Sequence, residues 1–119
     1  MIIILFYMNI VDRFSKNLTA IEYPKQKSSW NIAGILKGQN AFYKFDVRGL
    51  IKKSHNRGYK KGRLDSKADK MVFEFNNQWV ILDMNELTNY VKKHNLKDLE
   101  LSDMVDRLEW TIKLPKVAE

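Results

Sequence analysis

The sequence contains no cysteine, which excludes disulfides, thiolate metal sites and a cysteine nucleophile and suits a reducing cytosol. Histidine is nearly as scarce: His55 and His94 are the only two, and no metal-ligand spacing joins them. His55 follows Ser54, but sequence neighbours do not face one another on a helix, so the pair makes no catalytic triad. Gly34–Gly38 with Lys37 is not a phosphate-binding loop, because GxxxxGK[ST] is absent. Long apolar runs are also missing. The opening MIIILFYM falls far short of the ~20 residues that span a bilayer. It has no basic leader or small-residue cleavage site, and Asp12 and Arg13 follow closely. The expectation is an N-terminal strand over Ile2–Tyr7 packed in the core, no membrane association and a cytoplasmic protein. Met8 is an alternative start to Met1. Arginine is sparse as well, five against sixteen lysines. Lysine is a hydrated point charge, fit for phosphate backbones and poor at bidentate reading of bases.

What is present describes a folded globule. The 119 residues include 45% hydrophobic side chains and fourteen aromatics, enough for one domain with a real core. No repeat, low-complexity tract or second domain interrupts residues 1–119. The apolar spacing of Ile10, Val11, Phe14 and Leu18 predicts a short helix over Asn9–Asn17. Leu18–Tyr23 reads as a strand stopped by Pro24, Lys25–Ser29 as a polar loop, and Trp30–Leu36 as a strand leading through a Gly38–Asn40 turn into Ala41–Phe45.

Asp46 is a candidate N-cap for a two-turn helix over Asp46–Ser54, with Val47, Leu50 and Ile51 on one side and Arg48, Lys52 and Lys53 on the other. The strongest fold signal comes later. MVFEF and WVILD flank Asn76-Asn77, a hairpin turn. Asp83 and Glu86 form a capping box for a helix whose expected buried stripe is Leu87, Tyr90, Val91 and His94, with Asn95 to end it. His94, in the last turn, also complements the helix dipole. Ser102 opens a second short helix with Met104, Val105 and Leu108 inward. Glu109–Leu114 alternates as a last strand, ended by Pro115. Together these predict an α+β domain with a mixed or antiparallel sheet of about four to six strands, three to four short helices and a long basic loop over residues 55–70.

Charge is unevenly placed. Between Lys44 and Lys70 stand ten basic residues and three acids, a net of +7 that equals the charge of the whole chain. A neutral body with one cationic segment is the electrostatic signature of a polyanion binder. Arg48, Lys52, Lys53, Arg57, Lys60, Lys61, Arg63 and Lys67 are the candidate phosphate contacts, and Tyr59 is the one ring inside the loop available for stacking. Phe42, Tyr43 and Phe45, just before it, form a stacking platform or divide between the two faces of a strand. The expected partner is DNA or RNA, bound without strong sequence specificity, without catalysis and without a cofactor.

Two other readings come from different classes. Asp46 followed by Asp65-Ser66-Lys67 resembles the outline of the PD-(D/E)XK nucleases. The Asp46–Ser54 helix and the following hairpin are similar to the distal half of an archaeal resolvase of that superfamily. The resemblance implies Mg²⁺ held by Asp46 and Asp65, with Lys67 stabilising charge on the scissile phosphate. The sequence departs from that pattern where Gly62-Arg63-Leu64 replaces an apolar strand before Asp65, and where the Pro-Asp dipeptide is missing. The other reading is a non-enzymatic inhibitor or adaptor that docks an acidic protein or a nucleoprotein. Asp98, Glu100, Asp103, Asp106 and Glu109 form an acidic patch that caps the second helix, offers the basic arm an internal counter-surface, or serves self-association.

Overall fold

Side chains alternate across a strand with period two, and that alternation sorts the apolar residues of this chain into two layers on opposite faces of one sheet. The structure is a computed structural model that describes residues 9–49, 59–60, 66–95, 98–99 and 107–116. In chain order the elements are α1 (Ile10–Ser15), β1 (Leu18–Glu22), β2 (Ile32–Leu36), β3 (Phe42–Gly49), β4 (Tyr59–Lys60), β5 (Lys70–Glu74), β6 (Gln78–Asp83), α2 (Met84–His94), β7 (Asp98–Leu99) and β8 (Thr111–Pro115). Six strands form one mixed sheet in the order β1-β2-β3-β5-β6-β8, and β4 pairs with β7 apart from it. Only β3 and β5 run parallel; the other pairs in the large sheet are antiparallel.

On one face Met71, Phe73, Val80 and Leu82 pack under Met84, Leu87 and Val91 of α2, with Ala68 and Leu108 at the margins. On the other, Phe45, Val47, Val72, Trp79 and Ile81 meet Leu18, Ile32 and Leu36, and α1 inserts Phe14 among them. The Phe14 ring stands edge-on to Phe45 and Trp79 with centroids 5.2 and 5.3 Å away. Central β6 contributes to both layers, as its unbroken apolar run predicts.

Several local signals act as the sequence suggests. The helix expected from the spacing of Ile10, Val11 and Phe14 forms as α1, and Asn9, not marked by that spacing, caps it through a hydrogen bond from the Asp12 N–H at 2.9 Å. Asp83 caps α2 by accepting from the Glu86 N–H at 3.0 Å, and Asn95 closes it in the left-handed region at φ 51°. Edge strand β8 ends on Pro115, where a missing donor costs no ladder bond.

Five expectations are corrected. The described residues hold two helices, α1 and α2, against the three to four expected. The helix from Asp46 is a strand instead: Phe45–Gly49 pair in parallel with Lys70–Glu74, and Tyr43, Phe45 and Val47 supply one core face at period two. Glu86 does not close a capping box. Its carboxylate accepts from the Glu109 and Trp110 N–H groups at 2.6 and 2.9 Å, tying the start of α2 to the chain that leads into β8. His94 is exposed, not buried; it stacks on Tyr90 with centroids 4.1 Å apart. Within the expected basic loop, Tyr59–Lys60 form β4 and Lys70 already belongs to β5. The expected strand Ile2–Tyr7 and the helix expected from Ser102 through Asp106 lie outside the described residues.

Candidate nucleic-acid interface

Of the basic residues singled out by the sequence, Lys52, Lys53, Arg57, Lys61 and Arg63 lie outside the described residues, as does Asp65. Tyr59 and Lys60 are placed by their backbone, opposite Leu99 and Asp98. This pairing joins the basic segment to the acidic one. Arg48 and Lys67 are described, together with Lys44 and Lys70 from the same segment.

Arg48 is turned inward by the strand. Its guanidinium donates to both carboxylate oxygens of Asp46, Nε to Oδ1 at 3.0 Å and Nη2 to Oδ2 at 2.7 Å. Asp46 is 4% exposed. The acid that would open a nuclease motif is therefore taken by a bidentate arginine on the same face of β3. Among the described residues no group of three carboxylates or histidines converges as a metal site.

Lys70 is likewise internal. Its Nζ lies 2.7 Å from Asp83 Oδ1 and stands over the rings of Trp110 and Tyr43 at 3.7 and 4.5 Å. Partial burial works against ionising Asp83. The hydrogen bond from Lys70, those from the Glu86 and Asn85 N–H groups, and the lysine's charge outweigh it, holding the carboxyl below its usual range. Glu74 follows the same logic on the other edge. Burial opposes its charge, and the hydrogen bonds and charges of Arg13 and Lys116 prevail. Asp46, Glu74 and Asp83 are thus each paired within the domain.

Four exposed lysines, Lys25, Lys27, Lys44 and Lys67, are placed differently. Loop 23–31 carries Lys25 and Lys27 and is fastened to the body at two points. Ser29 Oγ accepts from the Lys67 N–H at 2.7 Å, and Asn31 Oδ1 accepts from the Val47 N–H at 2.6 Å. Between these points Trp30 packs against the α2-side core, with Lys44 Nζ 5.4 Å from its ring centroid. Asp69 holds Lys44 in turn, accepting from its N–H at 2.9 Å and donating its own N–H to the Lys44 carbonyl at 2.8 Å. Three chain segments thereby bring Lys25, Lys27, Lys44 and Lys67 to one junction around Trp30. All four are exposed, and none forms an ion pair with a described residue.

Sequence reasoning missed the loop's share of this surface. Lys25–Ser29 reads locally as a polar connection; the available signal was two lysines bracketed by Tyr23 and Trp30. The aromatic triplet divides. Phe42 is exposed on the face that carries Lys44, whereas Tyr43 is half-buried and Phe45 fully buried on the other.

The fold and this surface define a small α+β domain, a mixed six-stranded sheet under one long helix, with a lysine-rich junction at one side. No family model, curated protein or solved structure matches the chain. No helix among the described residues is long and apolar enough to cross a membrane.

Proposed function

We propose that the protein binds nucleic acid through the phosphate backbone, as a binder and not a catalyst. The supporting observation is the junction around Trp30, where Lys25, Lys27, Lys44 and Lys67 stand exposed without an ion-pair partner among the described residues. The internal pairing of Asp46, Glu74 and Asp83 leaves those acids unable to cancel the surface. Lys67 and Lys44 bound the segment whose net charge equals that of the whole chain, so Lys52, Lys53, Arg57, Lys60, Lys61 and Arg63 extend the same cationic supply. Counterion release from the polyanion is the driving term. Lysine in place of arginine favours contact with backbone over reading of bases.

Fluorescence anisotropy with labelled DNA and RNA, across a salt series and with and without Mg²⁺, tests this reading. Four lysine–phosphate contacts correspond to a slope of log affinity on log salt of roughly −3. Lys44→Gln with Lys67→Gln is expected to flatten it by about 1.5, and Lys60→Ala/Lys61→Ala/Arg63→Ala to flatten it further. Cleavage that needs Mg²⁺ and disappears in Asp65→Asn would replace the binder with the nuclease. Absence of binding to every oligonucleotide would leave an acidic protein as the partner.

A further inference from the structure

Phosphate contacts account for the lysines of the junction and leave its rings unexplained. Among the described residues the exposed large hydrophobic side chains are Ile21, Tyr23 (54%) and Phe42 (44%). Both rings adjoin the lysines. Tyr23 lines an open groove of about 590 Å³ between α1 and loop 23–31, with Lys25, Lys27, Trp30, Gln26 and Asp12 among its walls. That volume falls in the range of roughly 300–1,000 Å³ used by ligands about as large as a nucleotide. Phe42 sits two residues before Lys44, on the same face of β3.

The sheet register relates the two positions. Glu22, which precedes Tyr23, is opposite Ala33, and Ala33 is opposite Lys44. Two strand spacings, about 10 Å, separate Glu22 from Lys44. Lys44 lies over Trp30, which faces the same groove as Tyr23. Trp30 is therefore the shared neighbour of the Tyr23 groove and of Lys44, two residues beyond Phe42 on β3.

A duplex gains little from such a surface, because its bases are stacked on one another and only their edges are open. A single strand offers unstacked π-faces, and ring–base stacking next to a cationic track is how such strands are held without sequence preference. Asp12 in the groove would repel a phosphate, but its carboxylate and the Gln26 amide suit the exocyclic amines of a base.

Resting on the reading of the protein as a nucleic-acid binder, we infer that its preferred partner is single-stranded. One base stacks on Tyr23 in the groove, a second stacks on Phe42, and the backbone between them runs past Lys25, Lys27 and Lys44.

The test compares a labelled, non-self-complementary single strand of mixed sequence with a duplex of equal length at one salt concentration, for the full chain and the variants Tyr23→Ala, Phe42→Ala and Tyr23→Trp. Thermal melts confirm that these surface variants fold. The single strand is expected to bind at least tenfold more tightly than the duplex. Each alanine variant should weaken single-strand binding by about 5- to 100-fold, leaving duplex affinity and the salt slope unchanged, while Tyr23→Trp retains binding. Equal affinity for both forms, or alanine variants that weaken both equally or neither, would overturn the single-strand inference while leaving the phosphate-binding reading in place. Binding to neither form would overturn both.

Discussion

Lys70 has only 5% of its surface exposed, and its environment replaces each interaction that water would have made. The carboxylate of Asp83 takes one N–H, and the faces of Trp110 and Tyr43 receive the rest of the charge. Lys70→Met keeps the aliphatic stem and removes the cation, leaving Asp83 without its counter-charge. The Asp83 side chain retains 26% of its exposure, so water recovers part of the loss. Urea unfolding is expected to show a cost of about 1–3 kcal/mol, below the figure for a fully buried pair. The lowered carboxyls of Asp83 and Glu74 set a second expectation. Each binds its proton less readily folded than unfolded, so their stabilisation is complete above the unfolded values, about 3.9 for Asp and 4.3 for Glu. It is lost as pH falls through that range toward the folded values. Stability measured from pH 7 to pH 3 should therefore fall across the acid limb. Glu74→Gln and Asp83→Asn should each be less stable than the parent at pH 7, and the gap should narrow at pH 3.

At the level of elements, β1 and β2 approach so closely that residue 34 has no room for a side chain. A Cβ there would stand 2.8 Å from the Thr19 carbonyl oxygen and 3.2 Å from Leu18 Cβ. Gly34→Ala must push backbone apart, and a destabilisation of roughly 1–3 kcal/mol is expected, read as an earlier urea midpoint at constant m-value. Elements whose signals are local were legible in the chain. The β5–β6 hairpin follows from two apolar runs about Asn76-Asn77, α1 from the spacing of Ile10, Val11, Phe14 and Leu18, and the ends of α2 from Asp83 and Asn95. β3 was obscured because Val47, Leu50 and Ile51 fit a helix period as well as Tyr43, Phe45 and Val47 fit a strand. Its decisive partner is β5, some 25 residues away and parallel, and no local pattern encodes that pairing. The site was half legible for a related reason. Charge density along the chain marks the segment from Lys44 to Lys67, but Lys25, Lys27 and Trp30 join it only through the Ser29–Lys67 and Asn31–Val47 hydrogen bonds. Arg48 and Lys70 look like surface cations in a linear count, and strand alternation turns both inward.

Across the whole molecule, a net charge of +7 on 119 residues makes the folded state a self-repelling object in dilute salt. Asp46, Glu74 and Asp83 are already paired with Arg13, Arg48, Lys70 and Lys116, so Lys25, Lys27, Lys44 and Lys67 draw no relief from those three acids, and counterions or a polyanion can supply it. Small ions relieve the repulsion diffusely over a Debye length of about 10 Å at 0.1 M. On the proposed reading an oligonucleotide would do so by binding the native junction, which the unfolded chain does not present, and would stabilise by mass action. At a hundredfold excess over Kd that linkage is worth about 2.7 kcal/mol, or on the order of 10 °C in Tm for a domain of this size. The expected thermal melt therefore rises on adding oligonucleotide at low ionic strength. The increment should fade as salt is raised, because the same counterion release that drives binding is then opposed. A Tm that rises with salt alone and is indifferent to the oligonucleotide would mean that the lysines are relieved only by screening and that the junction has no nucleic-acid ligand.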